Sequence, residues 1–195
     1  AEEKAAVSLE QAIRIIKDNF EVPQEYTNFT SGFSSFNDRQ AWTLNWNAPG
    51  EPGGSFNAQV DSLSGEVLSM NTWKPENRPE PTPQKPSLSA LEARQAASRL
   101  LQKLATTHLS ELQLIPEDSQ LIPLNGYGPV IYTVRWQRMV SGVPFPENGV
   151  TIGINGEDGK TMSYYLNWSR ASLPSTAGVV SAEKAQQVFK DTGMM

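Results

Sequence analysis

The sequence predicts an α+β protein made of two tandem repeats, each one helix packed on an antiparallel sheet of about four strands. A serine-capped amphipathic helix start occurs three times, an alternating aromatic strand twice, and a hairpin ending in Asp or Asn and closed by Gly twice. These elements follow the same order on either side of a proline-rich stretch. The repeats are residues 7–73 and 88–168, and a third copy starts within residues 179–195.

The first helix starts at Ser8, because Val7-Ser8-Leu9-Glu10-Gln11-Ala12 puts a hydroxyl where it can accept from an unpaired backbone N–H, with an acid in the first turn. Leu9, Ala12, Ile13, Ile16 and Phe20 then fall on one face at helical spacing. Leu88-Ser89-Ala90-Leu91-Glu92-Ala93 repeats the start, with Ala93, Ala97, Leu100, Leu101 and Leu104 as its apolar face. Val180-Ser181-Ala182-Glu183-Lys184-Ala185 repeats it again and leaves an apolar face with nothing after it to cover, which predicts that the sequence is cut from a longer protein.

Ala41-Trp42-Thr43-Leu44-Asn45-Trp46-Asn47 aligns with Ile131-Tyr132-Thr133-Val134-Arg135-Trp136-Gln137. Large apolar residues at alternate positions make each a strand with one face buried. The segments from Val60 to Met70 and from Ile154 to Tyr164 read as hairpins, with Asp61, Gly65, Asn155 and Gly159 as turn-forming residues. Trp73 and Trp168 end the last strand of each unit and are expected to seal its core edge. Between them, residues 74–87 carry five prolines and no large apolar side chain, the composition of an extended linker.

Composition excludes much chemistry. With no Cys and one His among 195 residues, the chain has no means of building a disulfide framework, a thiolate zinc site or a multi-histidine metal cluster, and it calls for no metal and no cofactor. A net charge of −5 opposes nucleic acid as a partner. No apolar run approaches the roughly 20 residues that span a bilayer, and the sequence as given opens without a signal peptide.

Few residues invite a catalytic reading. His108 is placed at the C-terminal end of the second helix, where it suits the helix dipole better than a triad. Glu51, Asp61, Glu66, Glu157 and Asp158 lie in or beside hairpin turns, so they are read as turn residues rather than as paired glycosidase carboxylates. Gly126-Tyr127-Gly128-Pro129 lacks the lysine and following helix of a phosphate loop. No enzymatic activity is expected. Tyr164 and Tyr165 are adjacent in a strand, so one faces outward; this pair is the candidate ligand contact, by stacking on a sugar or another flat group.

The order of capped helix, aromatic strand and Val60-Asp61-Ser62-Leu63-Ser64-Gly65-Glu66-Val67 hairpin resembles the PepSY-type unit and, in tandem, the bacterial YcdB/YcdC repeated domain. Arg135 to Phe145 followed by Gly149 to Asn155 is similar to the strands of propeptides from thermolysin-type metallopeptidases. The resemblance implies a cystatin-like helix-on-sheet shape and a non-catalytic, extracellular or cell-surface module suspected of regulating peptidases. The expected partner is a polypeptide, taken on a free sheet edge. The alternatives are a structural cell-wall spacer or a carbohydrate-binding module that contacts wall polysaccharide.

Overall fold

Serine caps start the three α-helices among the described residues. The structure, a computed structural model, describes residues 5–36, 39–50, 53–75, 86–116, 119–121, 130–170, 178 and 180–192. Helix α1, Leu9–Asn19, is closed by a reciprocal box: Ser8 Oγ accepts from the Gln11 N–H and Gln11 Oε1 accepts from the Ser8 N–H. Helix α2, Ala90–Leu104, uses Ser89 and Glu92 in the same way. Helix α3, Ala182–Asp191, is capped by Ser181, and none of its residues is buried.

The strands are β1 (Asn28–Phe36), β2 (Arg39–Asn47), β3 (Ser55–Asp61), β4 (Val67–Trp73), β5 (Leu112–Leu114), β6 (Ser119–Leu121), β7 (Ile131–Val140), β8 (Val143–Asn155) and β9 (Thr161–Asn167). They form one antiparallel sheet in the order β1-β2-β3-β4-β9-β8-β7-β5, with β6 pairing a second stretch of β7. The expectation of a separate four-stranded sheet in each half is therefore corrected. The outer edge of β4 pairs with that of β9 through Ser69↔Tyr165, Met70↔Tyr164 and Asn71↔Ser163, which removes two exposed edges. Residues 76–85, most of the expected linker, lie outside the described residues, as do residues 193–195.

Both α1 and α2 bury their apolar stripes against one face of the sheet. Ala12, Ile16 and Phe20 from the first half share a single core with Ala93, Ala97 and Leu101 from the second, over Leu44, Phe56, Val60, Met70, Ile152 and Leu166. Each fully buried large side chain contributes roughly 2 kcal/mol. Trp42 is half-buried and donates from Nε1 to the Val7 carbonyl at 2.8 Å, tying the start of α1 to the sheet. Tyr132 does the same for α2, donating its hydroxyl proton to the Leu88 carbonyl at 2.8 Å.

The hairpin turns form as the residue types dictate. Asp61 Oδ1 accepts from the Leu63 and Ser64 N–H groups, each at 2.9 Å, and Gly65 follows at φ +76°. In the second half Asn155 Oδ1 accepts from the Glu157 N–H at 2.8 Å, and Gly159 takes φ +72°. Trp73 is 55% exposed, so it does not seal the core; it points to the sheet face opposite the helices. Trp168 is buried.

Candidate functional site

The main polar cluster lies where the two halves meet. Arg39, at the start of β2, is buried and donates from Nη1 to Glu66 Oε2 at 2.5 Å and from Nη2 to the Trp168 carbonyl at 3.2 Å. Asp61 Oδ2 lies 3.5 Å from the same Nη1 and accepts from Arg170 Nη2 at 2.8 Å. Glu66 Oε1 is 2.6 Å from His108 Nε2. Asp61–Arg170 and Glu66–His108 thus cross between the halves, while Arg39 forms its ion pairs within the first.

Trp168 is the platform of this cluster. The His108 ring stacks on it at 4.0 Å between centroids and 30° between planes, and the Arg138 guanidinium sits 4.2 Å from its ring centroid. Arg138 is fixed in turn by Glu111 Oε2 at 2.7 Å and by Asn148 Oδ1 and the Ser169 carbonyl at 3.2 Å. A cleft of about 550 Å³ opens over Arg39, Glu66, His108, Arg138, Trp168 and Arg170. Its arginines are balanced by Asp61, Glu66 and Glu111, so the cleft is built as an ion-paired joint.

The carboxylates carry the electrostatic signature of that joint. Burial pushes the Glu66 carboxyl up, but the hydrogen bonds from His108 and Arg39 and their charges outweigh it and hold the group below the usual carboxylate range. Asp61 is likewise lowered: burial raises it, and the Ser64 and Leu63 N–H groups together with Arg170 more than offset that. Among the described residues no group of three or more His, Cys, Asp or Glu side chains is placed to hold a metal ion.

The residues singled out from the sequence fall in three places. Asp61 and Gly65 shape the hairpin beside the cluster, and Asn155 and Gly159 shape its counterpart in the other half. Tyr165 is 43% exposed on the sheet face opposite the helices. Tyr164 is fully buried between Met70 and Ile152, which removes it as a ligand contact. His108 also departs from expectation. Helix α2 ends at Leu104, and the His108 ring turns to Glu66 instead of capping helix carbonyls. Glu51 and the Gly126–Pro129 loop lie outside the described residues.

Among the described residues the sheet keeps one long free edge. Among the described residues β1 pairs only with β2, in register from Asn28↔Asn47 to Phe36↔Arg39, and its sequence NFTSGFSSF has no charge and no proline. On its helix-side face, Phe29 packs on Trp46 at 4.9 Å and Phe33 meets Trp42 edge-on at 4.8 Å. These two rings remain 38% and 47% exposed.

Residues 9–168 match the family described as the YcdB, YcdC repeated domain. The chain belongs to that family. Its fold is similar to the Bacillus megaterium YpeB C-terminal domain, with a TM-score of 0.58 at 16% identity over 93% of this chain and 74% of that one. A candidate lipoprotein of Clostridium difficile 630 aligns at a TM-score of 0.28 and 13% identity over 84% of this chain and 95% of that one. No curated protein matches the sequence.

Within this YcdB/YcdC chain, sequence reasoning found the turn carboxylates but missed their partners. Arg39 and Arg138 are polar positions within strand sequences, and nothing in the local sequence separates a buried arginine from a solvated one. Trp168 reads in the sequence as the end of a strand, and β9 stops one residue earlier, at Asn167. The place of Trp168 between His108 and Arg138 depends on the β4–β9 joint, which strand patterns do not encode.

Proposed function

We propose that the chain is a non-catalytic, extracytoplasmic module that binds an extended polypeptide along the outer edge of β1. In this reading it is built from two PepSY-like, cystatin-like units and belongs to a larger bacterial secreted or cell-surface protein, where it modulates a peptidase in the manner of a propeptide. The two halves support the repeat reading by their order: β2, β3 and β4 correspond to β7, β8 and β9, and β4 meets β9 at the centre of the sheet.

The free edge of β1 carries the proposal. A nine-residue strand without charge or proline offers a row of outward N–H and C=O groups, the features that natural sheets suppress when an edge must stay unpaired. An added strand gains main-chain hydrogen bonds, and apolar side chains at alternate positions of that peptide extend the row begun by Phe29 and Phe33. Among the described residues the opposite edge offers the three-residue strands β5 and β6. The single histidine is held between Glu66 and Trp168, a setting of support for a joint rather than activation of a nucleophile.

The test is selection of extended peptides on the purified chain, followed by amide hydrogen exchange. Slower exchange confined to β1 is expected. Because neighbouring residues of an edge strand point their N–H groups in opposite directions, one of Ser31→Pro and Gly32→Pro removes an outward donor and abolishes peptide binding. Peptides that protect another surface, or that bind both variants unchanged, rule out the edge.

A further inference from the structure

The sheet face opposite the helices has a composition that solvation alone does not require. One row across the strands reads Asn45, Asn57, Asn71 and Ser163, each paired in register with the next. The adjacent row reads Thr43, Gln59, Ser69, Tyr165 and Thr151. Charge enters this second row only at its end, through Arg135 opposite Thr151, although charged residues make up 19% of the chain. Helix α3 does not cover the face, since all its residues are exposed.

Two rings rise from this polar field. Tyr165 pairs with Ser69, and Trp73 stands four residues along the same strand from Ser69, so the rings are separated by about 14 Å along the strand direction. Asn71 and Ser163 lie between them.

We infer that this face binds a neutral, hydroxyl-rich glycan strand. Amide and hydroxyl side chains each donate and accept, as sugar hydroxyls do, so rows of Asn, Gln, Ser and Thr match such a ligand without fixing a charge. The Tyr165 and Trp73 rings supply flat apolar surfaces for the C–H faces of pyranose rings. With no basic cluster among the described residues of this face, phosphate-bearing or acidic polymers, which require cations for binding, are disfavoured. A protein partner would call for a desolvated apolar centre, and the space between these rings is filled by an amide and a hydroxyl. The ring pair stands on β4 and β9, and the rows reach β1 only at Thr30 and Gly32, so the inference does not rest on the polypeptide reading of the outward N–H and C=O edge.

Affinity electrophoresis in gels containing hydroxyethyl cellulose, and sedimentation with insoluble chitin, test it. The wild-type chain should be retarded or co-sediment with at least one of these neutral glycans. Tyr165→Ala and Trp73→Ala should each weaken binding by about tenfold, as should Asn57→Asp, which puts a carboxylate in the centre of the row. These side chains project from the outer face, and circular dichroism melts verify that each variant folds. Ser31→Pro, at a position in register with Leu44 on the helix side, should leave glycan binding unchanged wherever it folds. No binding to either glycan, or binding unaffected by all three face substitutions, overturns the inference. So does loss of selected peptides, rather than glycan, on Tyr165→Ala.

Discussion

Glu66 and His108, 42 positions apart, meet at 2.6 Å and join the hairpin of the first half to the segment that follows α2. The same carboxylate takes Arg39, whose other nitrogen holds the Trp168 carbonyl at the end of the second half. This joint lies at the end of the β4–β9 seam. Contacts of this kind tie one half of the sheet to the other, since removing one partner strands the other in a buried setting.

Acid should weaken the fold through Glu66 and Asp61. Both are held below their ordinary range in the folded chain, so their contribution is fully present above the unfolded carboxylate pKa of about 4 and disappears as pH falls through the folded values. The melting temperature is expected to hold from neutral pH down to about 5 and then drop. Glu66→Gln should lower stability at neutral pH by roughly 3 kcal/mol and flatten the acid limb. A melt series in which wild type and variant fall in parallel below pH 5 contradicts this assignment.

The three serine caps should differ in what they support. Ser8→Ala and Ser89→Ala each remove a capping-box bond from a helix that buries one face, and each should cost about 1 kcal/mol in urea unfolding. Ser181→Ala breaks an equivalent bond on a helix that buries nothing. It should reduce helical circular dichroism without moving the main transition. A shift of that transition would show that α3 is packed on the rest of the chain.

Much of this fold was legible because each signal is local. Ser8, Ser89 and Ser181 announce their helices through bonds within one turn, and the alternation in 41–47 and 131–137 identifies the buried face directly. The adjacency of Tyr164 and Tyr165 was also correctly read as one ring out, but strand parity alone does not say which. The single continuous sheet escaped because Ser69 and Asn71 look the same whether they end an edge or sit mid-sheet. The Arg39–Glu66–His108 joint follows from that continuity and was hidden for the same reason.

Gly65 and Gly159 should respond alike to substitution. Each sits in the left-handed region that a side chain disfavours, and a Cβ at either would come within 3.2 Å of an apolar methyl, from Ile15 at the first and from Leu88 at the second. Alanine at either position is expected to cost about 1 kcal/mol or slightly more by chemical denaturation. Gly32, with open space around it and no positive φ, serves as the comparison: Gly32→Ala should be near neutral.

Tyr164 offers a test of the opposite sign. Its ring is fully buried beside Phe20, at 6.4 Å between centroids, and its register neighbours are Met70 and Ile152. Its hydroxyl has no hydrogen-bond partner among the described residues. Burial, reinforced by the nearby Glu66 charge, pushes its pKa upward, so this tyrosine should stay protonated while exposed ones ionise in alkaline spectrophotometric titration. A buried donor without a partner costs stability, and the ring itself supplies the packing. Tyr164→Phe keeps the ring and removes the orphaned group. It should therefore stabilise the chain by about 1 kcal/mol, a rise of roughly 2–4 °C in melting temperature for a protein of this size. A fall of similar size would mean that the hydroxyl is bonded in solution.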